Sequence, residues 1–221
     1  MGIRAHNFIK GEFYHIYAHG IGGTNIFNEE KDYKRFITLL FSANGINSIP
    51  RLDRKIDLSL VWDILNNKID LGNPLINLVS FSLMPTHFHL LLEERKDDNI
   101  SKYIHKILTS HSKYFNLKYE RRGHLFENKF NSKHIDNNEY ALILSCYIHK
   151  NSKDLPGWKN KEDSYPWSSY QDYVSENRWR HLLKKDIIED QFKNSEEYKS
   201  FVEEHYRDHT LPQALLGAEY D

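Results

Sequence analysis

The chain has 221 residues, 39% hydrophobic and 28% charged, a balance that suits one globular domain with a real core and excludes a disordered or fibrous polypeptide. No apolar run approaches the ~18 residues of a membrane span, and the opening MGIRAHNFIKGEFYHIY is too polar for a signal peptide's apolar core. Cys146 is the only cysteine, so no internal disulfide can form and a reducing cytoplasm is the expected location.

Residues 13–19 alternate as a strand and lead into a glycine-rich turn at Gly20, Gly22 and Gly23, whose spacing is not that of a phosphate-binding loop. Residues 29–44 have helical spacing, with Phe36, Leu39, Leu40 and Ala43 on one face. The weakly patterned stretch 45–74 reads as an insertion with a short helix near Leu58–Leu65. Residues 76–93 form the strongest β segment, either two strands around a bend at Met84-Pro85-Thr86 or one strand with a proline bulge. An amphipathic helix follows over 98–119, begun by Asp98 or Asn99. An extended segment over 124–135 comes next, then a helix over 138–151 capped by Asn137 or Asn138. From Pro156 to Trp167 the chain reads as loop, with further helices at 179–192 and 195–206. This rhythm predicts an α+β fold, an antiparallel sheet carrying helices mainly on one face. Residues 1–178 are expected to form the main domain, and 179–221 a helical extension packed on the core or on a partner subunit.

The net charge of −1 sums two opposed segments. Residues 102–134 carry Lys102, Lys106, Lys113, Lys118, Arg121, Arg122, Lys129 and Lys133 against only Glu120 and Glu127. Residues 186–208 hold eight acids against Lys193, Lys199 and Arg207. Tyr103, Tyr114, Phe115, Tyr119, Phe126 and Phe130 interleave with the basic set, and basic residues among aromatic ones suit single-stranded nucleic acid better than duplex. Lys102, Lys106, Lys113, Arg121, Arg122, Lys129 and Lys133 are the candidate DNA contacts.

Two patterns point to chemistry. Alternate strand residues share a face, so His87 and His89 are positioned to converge on one divalent ion while Phe88 points away. Two imidazoles leave a coordination shell open for an amide, a carboxylate, water or substrate. Tyr147 and Asn151 lie one helical turn apart on a common face, where a phenol can act as a nucleophile and an amide oxygen as a ligand for a hard cation. Cys146 reads as a small buried residue, and His149, off that face, as exposed or DNA-contacting.

Taken in order, MPTHFHLLL at 84–92, GHLF at 123–126, YIHKN at 147–151 and YPWSSY at 165–170 resemble the single-tyrosine His-hydrophobic-His transposases, and most closely their REP-associated tyrosine branch. The resemblance runs from about Phe13 to Tyr173. It implies a ferredoxin-like fold, a homodimer, and action on single-stranded DNA near imperfect hairpins. It further implies that His87, His89 and Asn151 hold Mg²⁺ or Mn²⁺, and that Tyr147 attacks the scissile phosphate to leave a 5′-phosphotyrosine and a free 3′-hydroxyl. The chain departs from the family in having Thr86 where Asn is frequent, His19 near a frequent Arg, Ser152 in place of a proline after Asn151, and the insertion at 45–74. Two rival readings share the fold: a non-catalytic nucleic-acid-binding module, and a metal-dependent phosphodiesterase that uses activated water.

Overall fold

In the computed structural model, which describes residues 7–49 and 56–207, four strands form one antiparallel sheet in the order β2-β3-β1-β4. They are β1 (Phe13–His19), β2 (Ile76–Leu83), β3 (His87–Glu94) and β4 (Asn131–Ile135). The bend at Met84-Pro85-Thr86 resolves into a hairpin: the Met84 amide donates to the His87 carbonyl (2.8 Å) and the His87 amide to that of Met84 (3.3 Å). Proline, with no amide to give, sits in the loop where none is required. Helices α1 (Glu30–Ser42) and α3 (Asn99–Lys118) make the two crossovers, so β3 lies between β1 and β2 as in a ferredoxin-like fold. The expected fold class is thus borne out.

One face of the sheet is apolar because strand alternation makes it so. Ile16, Ala18, Phe88, Leu90 and Leu92 are all buried there, and Phe36 of α1 meets Phe88 with ring centroids 5.1 Å apart. Tyr103 of α3 ties the two helices by donating to the Leu40 carbonyl at 2.7 Å. Asp98 stands at the N-cap of α3, and the buried Glu94 carboxylate, at the end of β3, accepts from the Ile100 amide (3.0 Å).

The second face is not bare. Helix α4 (Asn138–Lys150), capped by the Asn137 side chain accepting from the Tyr140 amide (2.8 Å), crosses β2, β3 and β4 there. Outside α4 pack α5 (Tyr170–Val174) and α7 (Ser195–Arg207) of the C-terminal part, with Tyr198 and Val202 fully buried. The helix expected over 179–192 is reduced to a 3-10 turn, Arg180–Leu182, and one turn of α6, Asp186–Glu189. Between them the Lys184 amide donates to the Leu78 carbonyl of β2 (2.8 Å), which holds the chain extended along the sheet edge. In the insertion, α2 (Leu58–Leu65) forms where expected, and its Leu60 and Ile64 join Leu71 in a small cluster of their own.

Asp32 is a buried charge that joins α1 to α3. Its carboxylate receives Lys118, the hydroxyls of Tyr114 (2.9 Å) and Tyr119 (2.7 Å), and the Asn28 amide (2.9 Å). Burial pushes its pKa up, but these donors together hold it below the ordinary 3.8. A folded value below the unfolded one contributes stability at pH above the unfolded value, and that contribution is lost as pH falls through the folded value. Asp32→Ala should therefore cost about 3 kcal/mol in urea unfolding at pH 7, as removing one partner of a buried pair does. The gap to wild type should narrow at pH 3; an equal gap at both pH values would refute this account.

Candidate active site

The register of β1 against β3 sets the site. Tyr17 pairs with His89 and His19 with His87, so His15, Tyr17 and His19 share the second face with both expected histidines. His87 and His89 lie 5.1 Å apart by ring centroid and tilt edge-to-face. His89 has no exposed surface, and its Nδ1 lies 2.9 Å from Nε2 of His15, which is equally buried. Burial first, and then the neighbouring His15, His87 and His19, hold the His89 pKa well below the usual imidazole value. At neutral pH this ring is therefore neutral and carries a lone pair, the form in which imidazole binds a metal. Nδ1 of His87 lies 3.0 Å from the Thr86 hydroxyl.

Helix α4 brings Tyr147 over these rings. Its ring, 5% exposed, stands edge-on to His89 at 5.2 Å and to His15 at 6.3 Å. Asn151, one turn on, caps the C-terminus of α4, and its Oδ1 is buried with no hydrogen-bond partner among the described residues. A buried amide oxygen left without a donor costs free energy unless something else engages it, and a hard cation would. Tyr147, Asn151 and His87 line one pocket of about 410 Å³ together with His19, Glu127 and Asp154. All of these come from a single chain, so no second subunit is needed to bring tyrosine and histidines together. Among the described residues no group of three His, Cys, Asp or Glu side chains is arranged to hold a metal ion. A set of two imidazoles and one amide lies outside that class, and its donor chemistry fits Mg²⁺ or Mn²⁺ with water or phosphate completing the shell.

His149 is a correction. It is fully buried, with Nδ1 2.7 Å from the Tyr198 hydroxyl and Nε2 2.9 Å from Ser169 Oγ, and burial takes its pKa down to about 3. The reason is that α5 and α7 cover the outer side of α4, where Tyr170, Tyr173 and Tyr198 surround the ring. Cys146 is buried as expected, its thiol pushed up to about 12 by burial. The residues missed were His15, Tyr17 and His19. Alternation in Phe13–His19 already put them on one face, but nothing local said that β1 is the neighbour of β3.

The basic residues divide into separate sites. Lys102 and Lys113 of α3 and Lys129 line a groove of about 810 Å³ between α3 and residues 123–130, with His105, His124 and Phe130. Lys106 points elsewhere, donating to the Gly45 carbonyl (3.2 Å). Arg121 sits over the Phe115 ring at 5.7 Å, and Arg122 is exposed. Lys133 of β4 is the register partner of His15, on the face that carries the tyrosine. Lys118 is spent on Asp32 and Glu29.

Residues 64–151 match the family model of IS200-like transposases. No curated protein sequence matches the chain. Among solved structures it is similar to the REP-associated tyrosine transposase bound to a REP hairpin, at 16% identity over 84% of this chain and 90% of that one, with a TM-score of 0.51. At that identity the likeness is one of fold. The matched segment spans β2 to the end of α4 and contains His87, His89, Tyr147 and Asn151, so over this part the chain is similar to the IS200-like transposases.

Proposed function

We propose that this chain is a transposase of the IS200-like kind, a single-stranded DNA endonuclease and strand transferase that works through Tyr147, next to DNA hairpins. The observation that carries the reading is the seating of Tyr147 on His89, in the pocket it shares with His87 and Asn151. Its oxygen attacks the scissile phosphorus, the bond from phosphorus to the 3′ oxygen breaks, the phenolic proton is lost and the 3′ oxygen takes one up. The new phosphotyrosine keeps the phosphodiester energy for rejoining to another 3′-hydroxyl. Mg²⁺ or Mn²⁺, held by His87, His89 and Asn151, would supply Lewis-acid polarisation of the scissile phosphate. The edge-on packing against two buried imidazoles keeps Tyr147 oriented.

The groove beside α3 suits the flanking strand: Lys102, Lys113 and Lys129 neutralise phosphates while Phe130 offers a stacking surface. A hairpin as the partner is supported by the fold shared with the hairpin-bound relative. A homodimer follows from the resemblance, the single cysteine suits a reducing cytoplasm, and Lys106, Arg121, Arg122 and Lys133 would contact DNA outside the groove.

Trapping tests the chemistry. Labelled hairpin DNA with a single-stranded flank, incubated with protein and Mn²⁺, should yield an adduct that survives denaturation, and Tyr147→Phe should yield none. Absence of an adduct from wild type would sink the transferase reading, and continued cleavage by Tyr147→Phe would favour activated water. Chelation should abolish the adduct, with Mn²⁺ restoring it at concentrations no higher than Mg²⁺ requires. The triple variant Lys102→Ala, Lys113→Ala, Lys129→Ala should reduce the slope of log affinity against log salt by about 2, from roughly 0.7 per phosphate on a single strand. An unchanged slope would remove the groove from the DNA path.

A further inference from the structure

We infer that His15 is a positioning residue that fixes the tautomer of His89, so that His89 presents Nε2 as its metal-binding atom. This rests on the metal reading proposed above and adds to it a residue outside the metal-binding set. The geometry is the buried contact of 2.9 Å between Nε2 of His15 and Nδ1 of His89. One proton lies between two ring nitrogens, so one must donate and the other accept. A neutral imidazole that ligates through Nε2 carries its proton on Nδ1, and that proton then points at His15. Nε2 of His15 must accept it, which puts the proton of His15 on its own Nδ1.

Several features keep this arrangement in place. His15 and His89 are both wholly buried, so water does not compete for the bond, and their rings stack at 5.1 Å with 25° between planes. Strand pairing holds the two backbones, because Tyr17 is the register partner of His89 and His15 is that of Leu91. Tyr147 closes the cluster from above, edge-on to both rings. The other histidine has a matching device: the Thr86 hydroxyl lies 3.0 Å from Nδ1 of His87. Both rings thus engage Nδ1 within the protein. Partners of this kind usually are carboxylates or carbonyls, and losing one typically costs 10–100-fold in metal affinity.

The test reads the proton directly. In metal-free protein with ¹⁵N-labelled histidine, long-range proton–nitrogen correlation, assigned with His89→Gln, should show His89 protonated on Nδ1 and bare at Nε2. Mn²⁺ titration should then show His15→Phe binding 10–100-fold more weakly than wild type. His15→Gln, whose amide oxygen can accept the same hydrogen bond, should recover most of the loss. A proton on Nε2 of His89 in wild type, or wild-type Mn²⁺ affinity in a folded His15→Phe, would overturn the inference. If His15→Phe does not fold, the wild-type tautomer and the His15→Gln affinity decide. Wild type that carries the Nδ1 proton yet binds no Mn²⁺ would support the fixing of His89 by His15 and sink the metal reading instead.

Discussion

The pairing of β1 with β3 in one particular register carries the rest of the molecule. A slip of one residue would turn His87 and His89 toward α1 and α3 and bring Phe88, Leu90 and Leu92 under α4. The register is held from the far side of the sheet, where Ile16, Phe88, Leu90 and Leu92 are buried without remainder. Each such side chain is worth about 2 kcal/mol in burial, so a slip forfeits several at once. The polar face is therefore placed by the apolar one. That lets a cluster of imidazoles, which contributes little to folding and costs something to bury, stay in the middle of a sheet.

Helix α4 needs a second support, because Tyr147 sits over rings that offer it only edge-to-face contact. The C-terminal part supplies that support. Tyr198 of α7 donates to Ser145 (3.1 Å) and bonds His149, while Ser169 bonds His149 and the main chain of Phe81 in β2. Helix α4 is thereby fixed both to the sheet beneath it and to the helices behind it. The acidic segment, which reads as a tail, is here a buttress with a charged outer surface.

Charge shows the same division between total and placement. The basic stretch 102–134 is one block along the chain but several sites in space: a groove wall, a buried ion pair, an edge-strand lysine beside the histidines, and an arginine over a phenyl ring. Only side chains that leave the helix on the groove side can follow a phosphate backbone together. An α-helix spreads consecutive charges around its axis, so proximity in sequence is no guide to a shared face.

Strand alternation, helical period and a break at Met84-Pro85-Thr86, though not its choice between hairpin and bulge, are legible in the residues, since each is a local property of a few dihedrals. They sufficed for the elements of the sheet core, for His87 and His89 on one face, and for Tyr147 and Asn151 on another. What they left open was long-range. That β1 is the neighbour of β3, that His15 lies under His89, and that His149 is enclosed by three tyrosines all depend on contacts between residues tens of positions apart. The helical spacing near 186 gives way for the same reason, to a bond with the edge of β2. Local pattern in the chain is enough to say which side chains share a face. Which faces meet is settled in the folded molecule, because that choice follows from burying whole apolar surfaces at once and not from any single residue's preference.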